Sequence, residues 1–239
     1  MQHGSSEELI RGELELIDRL GSFLSRWYGE PDRVQGSGVT TEGRLHKDLA
    51  DWWRLVECWS EPVVRFNIAV EPAALRSDAG FVTFWIENQG GITWSYPDSM
   101  HDSTVYVESG GPWVDTERTV ADFLFEMTLC EAAMDPPFSA RARRVPRREL
   151  EKLRIDGHRL RLGDWGWPAV GAELYVEGSH LIDVVPSFGA TDYFDVSYCF
   201  LAEAARNVWL SQYEGGINFL PRRRRERKVF DDPGDPPPF

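Results

Sequence analysis

The sequence is poor in the residues and patterns that mark enzyme active sites and metal centres. It has 239 residues but only three cysteines and five histidines, and the histidines show no spacing that would bring three or four metal ligands together. A nucleophile elbow, a phosphate-binding loop and a dinucleotide-binding glycine pattern are also missing. We therefore predict a protein without catalytic residues, cofactor or metal.

Long apolar runs and a cysteine framework are missing too. No stretch approaches 18 apolar residues, and the first eight residues lack the basic flank and apolar core of a signal peptide. The cysteines, Cys58, Cys130 and Cys199, are odd in number and lie in apolar patterns, which is typical of buried free thiols. Free thiols fit a reducing compartment. We expect a cytoplasmic protein with no membrane span.

The charge is strongly acidic and unevenly distributed. The formal net charge is −13, with −14 in residues 1–140, +6 in 141–161, −7 in 162–221 and +2 in 222–239. An acidic body repels nucleic acid and speeds its encounter with basic partners. The distribution therefore favours a protein partner over direct binding of nucleic acid.

Two arginine-rich segments interrupt this acidic chain. The first contains "RARRVPRRELEKLR", residues 141–154. It could grip phosphates, but it has no interleaved aromatic residues for base stacking. The preferred interpretation is a helix or loop that neutralises the protein's own acidic face or contacts another subunit. The second segment begins at Arg222 and is rich in charge and proline, so we predict a flexible tail over residues 221–239.

Hydrophobic periodicity predicts helices and strands in separate blocks. The predicted helices are 7–28, 45–59, 119–134 and 201–213, and the predicted strands are 81–86, 92–96, 104–108, 172–177, 179–186 and 193–200. This order indicates an α+β fold, with a mainly antiparallel sheet of about six strands and helices packed on it. We expect an N-terminal helix and loop over residues 1–44, the α+β domain over 45–220, and then the tail.

A polar turn separates the first two predicted strands in "FVTFWIENQGGITWSYP", residues 81–97. Gly90 and Gly91 supply the positive φ that a tight turn needs. Asn88 and Gln89 are predicted to satisfy backbone groups at the turn. Glu87 has two interpretations: a buried, hydrogen-bonded carboxylate would be structural, whereas an open one beside a tryptophan would belong to a contact surface.

Three segments in order resemble the SUKH superfamily of bacterial toxin-immunity proteins, which is related to yeast cell-wall-assembly regulators. They are "FVTFWIENQGGITWSYP", "STVYVESGGPW" and "TVADFLFEMTLCEAAM". The similarity covers about residues 45–135 well, and residues 150–213 in element order only. One departure is Asp102-Ser103-Thr104, where relatives often have an aspartate-proline pair. The resemblance implies a SUKH-like α+β fold and a protein that neutralises a cognate toxin by stoichiometric binding.

The resemblance also implies a contact surface, which we expect to be an acidic sheet face with aromatic anchors. The candidate partner-binding residues are Glu87, Trp94, Asp98, Asp102 and Trp113. The identity of the toxin stays open; a nuclease with a basic cleft is one case that an acidic binder would suit.

Two alternatives from other functional classes remain. One is a regulatory or scaffold module on the same fold, which would recruit proteins through its arginine-rich tail. The other is a hydrolase that uses His101, Asp102 and a buried acid. The hydrolase would need a pocket in which these groups converge with perturbed pKa values.

Overall fold

The computed structural model describes residues 16–34, 45–99, 102–153, 155, 157–160, 167–177, 180–213 and 216–224. Within these ranges the helices are α1 (Leu16–Tyr28), α2 (Lys47–Val56), α3 (Val120–Met134), α4 (Arg147–Leu150) and α5 (Glu203–Gln212). None of the helices in the described ranges combines the length and the apolar composition that a membrane crossing requires.

The strands form two antiparallel sheets. The first sheet contains β1 (Ile68–Ala69), β2 (Ser77–Asp78), β3 (Phe81–Ile86), β4 (Thr93–Pro97), β5 (Thr104–Glu108) and β6 (Val114–Thr119). The second contains β7 (Phe138–Pro146), β8 (His158–Leu160), β9 (Glu173–Glu177), β10 (His180–Pro186), β11 (Tyr193–Phe200) and β12 (Leu220–Arg223). The strand orders are β1-β3-β4-β5-β6, with β2 beside β3, and β12-β7-β11-β10-β9-β8. The predicted α+β class is confirmed, with two six-stranded sheets.

An aromatic core joins the first sheet to the helices that cover it. Trp52 of α2 packs edge-on against Trp85 of β3, with ring centroids 5.6 Å apart. Phe123 of α3 packs against both Trp85 and Trp94, at 5.9 Å and 5.7 Å. Each large ring removes about 150–250 Å² from water, so these contacts dominate the stability of this half of the molecule.

Helix α3 lies between the two sheets. It contacts β5 and β6 on one side and β10 on the other, and its side chains are buried along nearly its whole length. A helix that is apolar on all sides is expected in such a position. Leu174, Leu181 and Cys199 of the second sheet belong to the same apolar cluster as α3, so the core is continuous from one sheet to the next.

The opposite face of the second sheet packs against α5. Trp209 of α5 lies 4.3 Å from the ring of Tyr198 and 5.2 Å from the ring of Phe219. Ala140 and Ala142 of β7 complete this second apolar cluster. Each sheet therefore has one face in the α3 core, and among the described residues a helix covers the other face of the second sheet but not that of the first.

Strand β7 corrects the sequence interpretation of the first arginine segment. Residues 138–146 are a nine-residue strand paired with β11, not a helix or loop. Ala140 and Ala142 face the core while Arg141 and Arg143 alternate with them. The period-two pattern was hard to see because alanine is only weakly apolar and arginine carries a long aliphatic stem.

The second arginine segment also begins inside the fold. Residues 220–223 form β12, which pairs with β7, so the predicted flexible tail cannot start at residue 221. Arg206 of α5 donates to the carbonyl oxygen of Arg222 at 2.8 Å, and Arg224 donates to Glu61 at 2.8 Å. The rest of the predicted tail, residues 225–239, lies outside the described residues, as do 1–15 and 35–44 of the predicted N-terminal segment.

Candidate functional site

The Glu87–Gly91 turn is held by the carboxylate of Glu87. This carboxylate accepts hydrogen bonds from the backbone N–H groups of Gln89, at 2.9 Å, and Gly91, at 3.4 Å. The N–H of Gly90, which has a φ of +74°, donates to the carbonyl oxygen of Glu87 at 2.7 Å. Glu87 is half-buried, so its role here is structural and the partner-binding assignment is not supported by its contacts. The side chains of Asn88 and Gln89 are exposed, and Glu87, not these amides, serves the turn.

Trp94 lies in the core and not on a contact surface. It is fully buried, and its ring packs against Trp167 at 5.6 Å as well as against Phe123. It shares the inner face of β4 with Tyr96, which is also buried. The prediction that Trp94 contacts a partner is therefore wrong for this structure. The alternating pattern showed that Trp94 and Tyr96 share a face but not that the helices cover that face.

Asp98 and Asp102 lie at the end of the first sheet opposite to the Glu87 turn. Asp98 is exposed, and its carboxylate accepts a hydrogen bond from the Ser77 hydroxyl at 2.5 Å. The carboxylate of Asp102 accepts the N–H of Thr104 at 2.8 Å, and hydrogen bonding to Thr104 lowers the pKa of Asp102. Because Glu87 follows β3 and Asp102 precedes β5, the sheet separates these two carboxylates. His101, the other residue of the hydrolase hypothesis, lies outside the described residues.

Trp113 lies on the outer face of the first sheet, opposite to the helices. Its ring stacks on Phe81 with centroids 4.8 Å apart and planes 25° apart. Phe81 in turn meets Tyr106 edge-on at 5.3 Å. All three residues are half-buried. We call Phe81, Tyr106 and Trp113 the outer patch.

The strand pattern explains why these rings face outward. Val82 and Phe84 of β3 and Val105 and Val107 of β5 are buried against the helices. Side chains alternate along a strand, so Phe81, next to Val82, and Tyr106, between the two valines, point to the other face. A β-bulge between Thr83 and Trp85 interrupts the alternation, and Trp85 joins Phe84 in the core. The outer patch thus stands on the face that the helices leave open.

The rings of the outer patch cover a polar row of the sheet. Ser95 pairs with Thr83 on one side and with Tyr106 on the other, and its hydroxyl lies 2.8 Å from that of Thr83. Ser95 is fully buried although it belongs to the outer face. The patch is consequently a packed surface with fixed ring positions.

The charged residues in the stretch of sequence that contains the outer patch are all acidic. Residues 77–117 contain seven Asp or Glu residues and no Lys or Arg. Asp115 lies directly across from Tyr106 in the strand register, and Asp98 follows Pro97, which pairs with Phe81. A stretch of one charge sign around apolar rings attracts cationic groups over distances of about a Debye length. The acids of this stretch are Asp78, Glu87, Asp98, Asp102, Glu108, Asp115 and Glu117.

Sequence reasoning named Trp113, Asp98 and an acidic sheet face as candidates for a partner contact, which stay predictions, but it did not single out Phe81, Tyr106 or Asp115. Phe81 begins a strand whose buried members are its neighbours, and Tyr106 lies between two buried valines. An aromatic residue out of phase with the apolar residues of its own strand was the signal that could have found both.

The described residues hold no group of three or more His, Cys, Asp or Glu side chains that could bind a metal ion. Comparison with models of known families, with curated proteins and with solved structures found no match to this chain. The resemblance to the SUKH superfamily therefore stays a prediction.

Proposed function

We propose that this protein is an immunity-type binding protein, which neutralises a toxin domain by stoichiometric binding and without chemistry of its own. The observation that carries the proposal is the outer patch: three half-buried aromatic rings, one pair stacked and one pair edge-on, in a stretch of sequence, residues 77–117, whose charged side chains are all acidic. The helices already cover the other face of this sheet, so the core does not need the outer rings.

Aromatic side chains with this exposure are suited to anchor a protein partner. Tyrosine and tryptophan are enriched among the residues that dominate binding energy, and a rigid ring loses little conformational freedom on binding. The stacking of Trp113 on Phe81 and the buried hydroxyl row beneath hold the rings in place before a partner arrives. Such preorganisation raises affinity because less order has to be imposed at the interface.

The acidic surroundings indicate the charge of the partner. A basic surface, such as the substrate cleft of a nuclease, would be drawn to this face and could also place guanidinium groups over the rings. Association should then slow as salt screens the attraction, while the apolar anchors hold the complex once formed. The expected partner is a toxin domain with a basic cleft.

The proposal predicts a toxin gene next to the gene of this protein, and the test is whether an equimolar amount of the full-length chain inhibits the toxin domain which that gene encodes. We expect inhibition, an association rate that falls with ionic strength, and a loss of affinity of about 2 kcal/mol or more for Trp113→Ala. Phe188→Ala is the matched control, because Phe188 is a fully exposed aromatic residue of the second sheet's β10–β11 loop. A toxin that stays fully active in the equimolar mixture would rule out the pair. Equal affinity of the Trp113→Ala and wild-type proteins would rule out the outer patch.

The scaffold alternative makes a different prediction for the chain beyond β12. Since residues 220–224 are part of the fold, the informative deletion is 225–239 and not 222–239. Loss of partner capture on this deletion, with the outer patch intact, would favour a scaffold module over the immunity function.

A further inference from the structure

The fold brings the two arginine-rich segments together into one groove. A cavity of about 660 Å³ lies beside the β7–β12 pair, at the edge of the second sheet. We call it the arginine groove. The arginines that line it are Arg141, Arg143, Arg144, Arg222, Arg223 and Arg224.

The strand register places these arginines side by side. In the antiparallel β7–β12 pair, Leu220 lies across from Arg141 and Arg222 lies across from Ser139. Residues that pair across a sheet project from the same face. Arg222 therefore joins Arg141 and Arg143 on one face, although 78 or more residues separate them along the chain.

Several of these guanidinium groups already have partners in the protein. Arg224 lies 2.8 Å from Glu61, Arg223 stands over the ring of Phe138, and Arg144 stands over the ring of Tyr193. Two acids also line the groove, but Asp135 is shared between Arg65 and Arg224, and Glu149 lies 3.7 Å from Arg148.

Arg143 and Arg222 differ from these because both are exposed and neither forms an ion pair within the described part of the chain. Arg141 beneath them is positioned by the sheet: its Nε donates to the Ser139 hydroxyl at 3.1 Å. Arg141 pairs with Ser197 of β11, and Ser197 pairs with Asp183 of β10. The Asp183 carboxylate therefore lies on the same face of the sheet as Arg141. Arg143 and Arg222 thus remain available, and Arg141 lies beside them in the groove with its Nε held by Ser139.

We propose that the arginine groove binds a compact anion that carries two or more phosphate groups. The planar guanidinium group matches phosphate oxygens in pairs of parallel hydrogen bonds, and several arginines at one site select for multiple charge. The cavity volume falls in the range of small-molecule sites, about 300–1,000 Å³.

A long nucleic acid fits this groove less well than a compact ligand. The groove lining contains no aromatic residue for base stacking, and the nearby ring of Tyr193 already lies under Arg144. The chain as a whole carries a net charge of −13, which repels an extended polyanion but only weakly affects a small ligand inside a basic groove.

The test is isothermal titration calorimetry of the full chain with inorganic tripolyphosphate and with pyrophosphate. Inorganic phosphate, which has a single phosphate group, is the comparison ligand. We expect saturable one-to-one binding that strengthens from phosphate to tripolyphosphate. The variant Arg143→Gln/Arg222→Gln should weaken tripolyphosphate binding at least about tenfold, because it removes charge-assisted hydrogen bonds. The control Arg33→Gln/Arg159→Gln removes the same charge from exposed positions outside the groove and should stay within about twofold of the wild type.

Three outcomes would overturn the proposal: no saturable binding of tripolyphosphate at low salt, equal weakening in both double variants, or tighter binding of a single-stranded oligonucleotide than of tripolyphosphate. Thermal melting checks that both double variants are folded. If the Arg143→Gln/Arg222→Gln variant does not fold, the single variant Arg143→Gln provides the test, and it should weaken tripolyphosphate binding about threefold or more. Toxin inhibition should be unchanged in the groove variants, so failure here is distinct from failure of the proposed function.

Discussion

The two sheets differ in how they use the face that is not buried against α3. Within the described part of the chain no helix packs on the outer face of the first sheet, which carries aromatic rings and lies in an acidic stretch of sequence. The second sheet covers its outer face with α5 and gathers arginines at its β7–β12 edge. The arginines are therefore concentrated at one edge of the second sheet, away from the aromatic rings of the first sheet. A chain with a large negative charge can therefore still hold a basic site, because strand pairing concentrates its arginines in one place.

A set of ion pairs joins the two sheets at one corner. Arg65, in the loop before β1, lies 3.4 Å from Asp135 and pairs closely with Glu61. Arg224, just after β12, lies 2.8 Å from the same Glu61 carboxylate. The end of the second sheet is thereby tied to the entrance of the first.

The strongest contrast is within the first sheet, between Trp94 on its inner face and Trp113 on its outer face. We expect Trp94→Ala to lower the free energy of unfolding by about 3–5 kcal/mol, because it leaves a large cavity in the core. Trp113→Ala should cost about 1 kcal/mol, since that ring is half-exposed, yet it should be the variant that loses toxin binding. Urea denaturation and a binding titration on both variants measure this. Similar stability losses at the two positions would contradict the assignment of inner and outer faces.

The next largest effect is expected at Glu131 of α3, between the sheets. Its buried carboxylate accepts the backbone N–H groups of Arg65, Phe66 and Asn67, at 2.7–3.0 Å, and the Asn67 side-chain amide at 2.8 Å. Glu131→Ala would leave these donors without an acceptor, so we expect a loss of about 3 kcal/mol in urea denaturation.

Glu71→Ala is the control for Glu131→Ala, because Glu71 is exposed and its side chain forms no capping hydrogen bond to the short helix that follows it. It should change stability by about 0.5 kcal/mol or less. A loss below about 1 kcal/mol for Glu131→Ala would show that the loop entering the first sheet does not depend on α3.

A smaller, pH-dependent effect is expected at Asp183 of the second sheet. Burial, opposed by Arg141 and reinforced by Asp195, raises the pKa of Asp183 to about 7. The unfolded pKa is about 4, so the folded state holds this proton more tightly and its contribution to stability is lost as pH rises from about 4 to about 7. Asp183→Asn should therefore gain about 1–2 kcal/mol relative to the wild type between pH 4 and pH 8, less than the full shift implies because the side chain is partly exposed.

Asp195→Asn provides the comparison for that measurement. The Asp195 carboxylate accepts hydrogen bonds from the Arg144 N–H at 3.0 Å and the Ser187 hydroxyl at 2.7 Å. The asparagine variant removes a charge that reinforces the raised pKa of Asp183 but also weakens the acceptor for these two donors, so its gain at pH 8 should be smaller than that of Asp183→Asn. A gain of equal size in both variants would contradict the role assigned to the burial of Asp183.

The smallest effect is expected at the corner that ties the sheets together. Arg224→Gln removes a partly exposed ion pair with Glu61, which we expect to contribute about 0.5–1 kcal/mol to thermal stability. Arg33→Gln, at an exposed position, should leave the melting temperature unchanged. A larger loss at Arg224 would indicate that β12 depends on this tie and that the arginine groove is coupled to the first sheet.

Much of the fold could be predicted from the sequence because it is locally encoded. Helix α3 and strand β3 follow strong apolar periodicity, and Thr119 caps α3 by accepting the N–H of Asp122 at 3.1 Å. Strand β7 was missed because small alanines between arginines give a weak apolar signal. Strand β12 was missed because a short run of proline and arginine looks like a tail.

The candidate site was predicted only in part. Trp113 lies on the outer face and Asp98 is exposed at the end of the sheet, so their assignment to a partner contact stays a prediction, whereas Trp94 lies in the core and Glu87 holds its own turn. Alternation along a strand shows which residues share a face, but it does not show which of the two faces the helices will cover.

The sequence by itself determined the α+β class, most helices and the longer strands, and an acidic chain with two arginine segments, because these depend on residues close together in the chain. Only the tertiary structure decided that Phe81 stacks with Trp113 in the open and that Arg141 and Arg222 line one groove. Both arrangements depend on the register of strands that are far apart in the chain and on the packing of helices against one face of a sheet. The strand register and the covered face are determined by how the apolar surface of the whole chain is buried. A pattern within one segment of the sequence therefore does not predict them.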